Sequence, residues 1–179
     1  MTIDLIPVSI GDIAEDWDPE HVGRLSGAFG CKRDLGLERF LMHDAMPFHK
    51  KHRPRTYLFL SADSKNVLAY VTLGIKSLKV PKENKLTNRV KKEMDIYKGV
   101  SQSYLIGQLG KPDGVEKGIR PEPIELALDV FERSFRAVGC RTVRLDCKRE
   151  LVGFYEDNGF KMVSQEEGGG ELRHMVFLF

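Results

Sequence analysis

The stretch from Val143 to Phe160 holds the residue types and spacing best suited to chemistry, with Tyr155 at its centre. A phenol titrates near about 10, so it keeps its proton at neutral pH and can deliver it to a base of similar strength. That role requires a pocket; without one, Tyr155 is a half-buried helix residue beside Phe154. Cys31 and Cys147 are possible nucleophiles, but neither has a histidine nearby in sequence and Cys147 ends an apolar strand, so both read as core. His174 sits in the alternating segment from Leu172 to Phe179 without a second ligand at metal spacing, so no metal site is expected. The run Gly168, Gly169, Gly170 has no helix after it and reads as a hairpin tip, not a phosphate cradle.

The elements that must position Tyr155 follow from periodicity. Residues 141 to 147 form an apolar strand, and Lys148 to Asp157 form a short helix stopped at Asn158 and Gly159. Upstream, Ser103 to Leu109 reads as a buried strand, followed by a glycine-rich turn over Gly110 to Gly118. A helix then carries Ile124, Ala127, Leu128, Phe131, Phe135 and Val138 on one stripe; Pro121 and Pro123 suit its first turn and Gly139 its end. Strand, helix and strand make a right-handed βαβ unit. Phe160 to Val163 and Leu172 to Phe179 close the chain as a hairpin around the loop at Glu166 to Gly170. In the first half, Thr56 to Ser61 and Val67 to Leu73 form a hairpin, and Leu37, Phe40, Leu41, Ala45 and Phe48 mark an amphipathic helix. Ile3 to Ser9 is expected as an edge strand, and Glu15 to Glu20 as an acidic loop. Residues 76 to 99 read as a lysine-rich helical insertion, solvated on most of its surface, with its helix near Leu86 to Tyr97.

Composition allows one compact α/β domain over residues 1 to 179: 41% of residues are hydrophobic and 30% charged. A net charge of +2 gives no overall push toward nucleic acid or membrane. Three cysteines, with no CxxC pair, fit a reducing compartment. With no leader pattern and no apolar run of about 18 residues, a cytoplasmic protein without a membrane span is expected.

The segment Leu151 to Phe160 resembles the closing motif of the GNAT N-acetyltransferases, where a Phe-Tyr-Glu-x-x-Gly-Phe run follows the fifth strand. Phe29 to Cys31, Leu37 to Leu41, Ala45, Thr56 to Leu58 and Tyr70 to Leu73 are similar to the first half of the subgroup that includes toxins of toxin and antitoxin pairs. The resemblance covers roughly residues 25 to 179. It implies a single GNAT-like domain with a mixed, mostly antiparallel central sheet, a splayed parallel pair and helices on both faces. It also implies acetyl transfer from acetyl-CoA to a primary amine, with Tyr155 protonating the departing coenzyme A thiolate. Backbone at Leu105, Ile106, Gln108 and Leu109 would meet the pantetheine arm. The turn at Val115, Lys117, Gly118, Ile119 and Arg120 would meet the pyrophosphate with N–H groups and the helix dipole. Only the middle glycine of the family's turn pattern is kept, and Arg120 stands where a small residue is usual. Lys148, counted with the cofactor-binding set, occupies a position where the family often has Asn.

For the incoming amine, His43, Glu38, Asp44 and Asp146 are candidate bases and none is assigned. The acceptor is left open among an aminoacyl-tRNA, a small amine and a protein N-terminus. His49 to Arg55 and Lys76, Lys79, Lys82, Lys85, Lys91 and Lys92 could hold tRNA phosphates, although such runs are commonly solvated faces. An antitoxin-like protein and a second copy of the chain complete the expected partners. The competing reading is a domain of the same fold that binds a partner or coenzyme without catalysis.

Overall fold

The computed structural model describes residues 3–4, 7–16, 19–115, 119–120, 122–165 and 172–179. Its elements run β1 (Ile3–Asp4), β2 (Pro7–Ser9), α1 (Ile10–Asp16), α2 (Pro19–Gly27), α3 (Leu35–Arg39), a π-helical turn (Phe40–Asp44) and α4 (Ala45–Lys50). Then come β3 (Arg55–Leu60), β4 (Val67–Ile75), β5 (Leu78–Lys79), α5 (Asn88–Glu93), β6 (Val100–Ser101), β7 (Tyr104–Gly110) and β8 (Ile119–Arg120). The chain ends with α6 (Pro123–Val138), β9 (Thr142–Lys148), a 3₁₀ turn (Arg149–Leu151), α7 (Val152–Asp157), β10 (Lys161–Gln165) and β11 (Leu172–Leu178). Seven strands pair in the order β10-β11-β9-β7-β4-β3-β2, a mostly antiparallel set with β7 and β9 parallel, as the resemblance implied.

The chain divides into two compact units, Met1–Gly74 with Gly107–Ala127 and Ile75–Ile106 with Leu128–Phe179. In the first, α1, α2, the segment after α2 and the π turn bring Ile10, Ile13, Leu25, Phe29 and Leu41 onto Leu58, Leu60 and Tyr70 of the hairpin. Two expectations are corrected here. The acidic stretch from Glu15 to Glu20 is not simply a loop but contains the end of α1 and the start of α2; Ile10/Ile13 and Val22/Leu25, each three apart, bury one side of these short helices. The expected strand from Ile3 to Ser9 is two short strands. β1 pairs with β8 in parallel, and β2 pairs with β3. The helix expected over Leu35 to Phe48 continues to Lys50 through the π turn, where the Ala45 N–H reaches back to the Phe40 carbonyl. Phe40 thereby faces both Phe48 and Tyr70, at ring-centroid distances of 5.5 and 6.1 Å. The Tyr70 hydroxyl donates to the Leu37 carbonyl at 2.8 Å, and burial raises its pKa well above the ordinary phenol value.

In the second unit, β5 and β6 close the neck of the lysine-rich segment. Leu78, Val80, Leu86, Val90 and Met94 are buried there with Val163 and Val176, so the segment has a core of its own. Its helix is shorter than expected: Thr87 caps it through a hydroxyl that accepts from the Val90 N–H, and it ends before Met94. α6 ends where Gly139 takes φ +84°. Val138 does not belong to its buried stripe, being 80% exposed. The Gly168 to Gly170 run lies outside the described residues.

Candidate active site

Tyr155 occupies the third position from the end of α7, and the chain beyond it explains why. Gly159 adopts φ +84° and donates to the Glu156 carbonyl, while the Phe160 N–H donates to the Tyr155 carbonyl at 3.0 Å. This Schellman closure brings the Phe160 ring to 5.9 Å from the Tyr155 ring. The spacing of Tyr, Gly and Phe is thus partly a helix-stop code, which fixes the direction of the phenol. Phe160 packs in turn on Phe177, a β11 residue paired with Val143. On this face of β9, Val143, Leu145 and Cys147 are all buried. Burial pushes the Tyr155 phenol up to about 12, helped by Cys147, so it remains protonated at neutral pH. Among the described residues its hydroxyl makes no hydrogen bond. Burial also pushes the Cys147 thiol up to about 11, which suits a packing residue and not a nucleophile.

The opposite face of β9 is charged. Arg144 Nη2 donates to both Asp146 oxygens at 2.6 and 2.7 Å, and its Nη1 donates to the Ser77 carbonyl at 3.0 Å. His174, the β11 partner of Asp146, places Nδ1 2.7 Å from Asp146 Oδ1. Burial alone would raise the Asp146 pKa; the hydrogen bonds from Arg144 and His174 outweigh it and lower the net value. His174 is therefore part of a cluster that sequence spacing could not show, and the only advance signal was its place in an alternating strand. Of the other candidate bases, Glu38 accepts from the Cys31 N–H at 3.0 Å, His43 is exposed on the π turn, and Asp44 follows it.

The parallel ladder joins Tyr104, Leu105 and Ile106 to Val143, Arg144 and Leu145 and ends there. Asp146 is thus the first β9 residue beyond the ladder, and Lys148 closes the strand. Among the expected cofactor residues, Leu105 and Ile106 lie in the ladder. Gln108 and Leu109 continue β7, the Gln108 N–H already donating to Thr72 Oγ1 at 2.7 Å. Gly110 is required by close approach: a Cβ there would stand 2.6 Å from the Tyr70 ring. The turn after it is tied down by Asp113, which accepts from the Lys32 N–H at 2.8 Å and donates its own N–H to the Gly30 carbonyl. Lys117 and Gly118 lie outside the described residues, Val115 ends the described turn, and Ile119 and Arg120 form β8. At the start of α6, Pro123 takes the first helical position and Glu125 accepts from the Glu122 N–H at 2.8 Å. No group of three or more metal-ligating side chains occurs among the described residues, nor is any helix there long and apolar enough to cross a membrane.

No protein-family model matches the sequence, and no curated protein matches it significantly. Solved structures do match. AtaT complexed with acetyl-methionyl-tRNAfMet shares the fold at a TM-score of 0.71 and 21% identity, over 98% of this chain and 95% of that one. A tyrosine-to-phenylalanine mutant of KacT superposes at 0.69 with 19% identity, covering 96% and 94% of the two chains. A tyrosine-to-phenylalanine mutant of the AtaT toxin, bound to the C-terminus of the antitoxin AtaR and acetyl-CoA, does so at 0.67 with 16% identity, covering 97% and 94%. The chain shares the fold of AtaT and KacT, a mixed sheet with one parallel pair, as the resemblance implied.

Proposed function

We propose that the protein transfers the acetyl group of acetyl-CoA to a primary amine, and that the amine is the α-amino group of an aminoacyl-tRNA. The observation that carries this reading is the likeness, over nearly the whole chain, to AtaT complexed with acetyl-methionyl-tRNAfMet. Tyr155 supports it independently, because a buried phenol in the helix after the parallel pair keeps its proton at neutral pH for a departing thiolate, while burial makes it a weaker acid than an ordinary phenol. Acetyl-CoA supplies the thioester. Backbone of Leu105, Ile106, Gln108 and Leu109 lines its arm; Val115, Lys117, Gly118, Ile119 and Arg120 with the start of α6 take its phosphates, and Lys148 stands at the strand end. Tyr155 delivers its proton to the sulfur as the C–S bond breaks. Lys50 at the end of α4 and Lys51 and Arg53 after it are exposed and offer charge to tRNA phosphates. An antitoxin partner belongs to the same reading, since a neighbouring toxin binds the C-terminus of one.

The test is thiol release from acetyl-CoA in the presence of a mixed pool of aminoacyl-tRNA, with N-acetylated aminoacyl-tRNA identified as product. Tyr155→Phe should lower turnover by roughly 10²-fold while thermal stabilisation by acetyl-CoA stays unchanged. Failure of the wild-type protein to form product, with acetyl-CoA still binding, would leave a binding module in place of an enzyme.

A further inference from the structure

Acetyl transfer needs a proton acceptor as well as a donor, because the fraction of the acceptor amine that is protonated, which grows as pH falls, must lose that proton before it can attack. We propose that His174, oriented by Asp146, is the residue that accepts it; this rests on the acetyltransferase reading. The imidazole has the connections of an activated base. Its Nδ1 lies 2.7 Å from Asp146 Oδ1 and 3.5 Å from Arg144 Nη2; in the tautomer that carries its N–H on Nδ1 and donates to the carboxylate, the Nε2 lone pair is left to accept a proton. Among the described residues Nε2 makes no hydrogen bond. Asp146 is held by both contacts of Arg144 Nη2, and the Arg144 side chain, only 6% exposed, is anchored on the Ser77 carbonyl. The carboxylate is thereby fixed, and it and the imidazole are both partly exposed, at 22% and 21%. Asp146 is the first residue of β9 past the parallel ladder, where the strand edge ceases to be paired by β7.

Charged and titratable groups lie on each element around the imidazole. Arg144 and Asp146 lie on β9, with Lys148 one pair further along the same face. On β10 stand Ser164, the direct partner of His174, and Lys161, the partner of Val176. From the lysine-rich segment, Lys85 is tied to β10 by its main-chain N–H, which donates to the Val163 carbonyl at 2.9 Å. The Ser164 hydroxyl, on the residue paired with His174, is buried and has no hydrogen-bond partner among the described residues. In the reaction His174 Nε2 first takes the ammonium proton and passes it to solvent, and the freed lone pair of the acceptor nitrogen then bonds to the thioester carbonyl carbon. The C–S bond breaks as Tyr155 protonates the sulfur, and the proton that the new amide nitrogen sheds returns to the phenolate by way of solvent. His174 is the catalytic residue of this step and Asp146 a positioning residue.

The experiment compares wild type, His174→Gln and Asp146→Asn in transfer to the same aminoacyl-tRNA pool from pH 6 to 9, with melting temperature measured in parallel. The wild-type to His174→Gln rate ratio should be roughly 10² at the acid end and fall toward one as the acceptor amine deprotonates by itself. Asp146→Asn should show the same trend with a smaller ratio. A ratio of one throughout, or a deficit of equal size at every pH, overturns the inference, since a structural defect has no reason to follow the amine's protonation. Inactivity of the wild type fells the acetyltransferase reading and this one with it; an active wild type matched by His174→Gln fells this one alone.

Discussion

The two faces of β9 solve opposite electrostatic problems within one seven-residue strand. One face presents Val143, Leu145 and Cys147 to an aromatic layer of Tyr155, Phe160 and Phe177; the other presents Arg144 and Asp146 to His174 and the Ser77 carbonyl. The dry face holds a proton on a phenol, up to about 12, while hydrogen bonds on the charged face hold a carboxylate ionised. Neighbouring environments that push titratable groups apart are the usual way a single fold supplies both an acid and a base. The strand's alternation does the sorting, because successive side chains point to opposite faces.

The comparison breaks first if the aromatic face is not the main source of stability. Phe160→Ala removes the ring that closes the α7 stop and should cost about 3–5 kcal/mol in denaturant unfolding; a loss under about 1 kcal/mol would mean the layer is dispensable. Arg144→Ala strips the charged face of its anchor, leaving Asp146 without its cation and the Ser77 carbonyl without its donor. A loss of about 3 kcal/mol is expected, read by the same unfolding curves. The smallest effect separates the faces by pH. Tyr155 has a raised folded pKa, so its contribution is complete below about 10 and is lost as pH rises toward about 12, up to about 2–3 kcal/mol. Tyr155→Phe should lessen that alkaline loss. Asp146 has a lowered folded pKa, so its contribution is present above the ordinary carboxylate range and disappears as pH falls through its folded value. Asp146→Asn should flatten the acid limb and leave the alkaline one alone.

Legibility in the sequence followed the range of the interactions. The stop at Asn158 and Gly159, the α6 stripe through Phe131 and the Thr56 to Leu73 hairpin were readable because each is written within a few residues. The helices α1 and α2 were missed because two short apolar pairs in an acidic stretch carry little periodicity, and they are helical because the β3/β4 hairpin offers a surface to cover. The π turn at Phe40 to Asp44 was invisible because a spacing of three and four is compatible with either winding. The lysine-rich segment was read by its charge, whereas Leu78, Val80, Leu86, Val90 and Met94 decide its structure by packing on Val163 and Val176.

By itself the sequence determined that a tyrosine would follow a buried strand on a short, glycine-stopped helix, since backbone geometry and local hydrogen bonds dictate that much. Tertiary structure alone decided that Asp146 and His174, 28 residues apart, would meet. A slip of one residue between β9 and β11 would send the histidine to the aromatic face, and only long-range packing holds the register that prevents it.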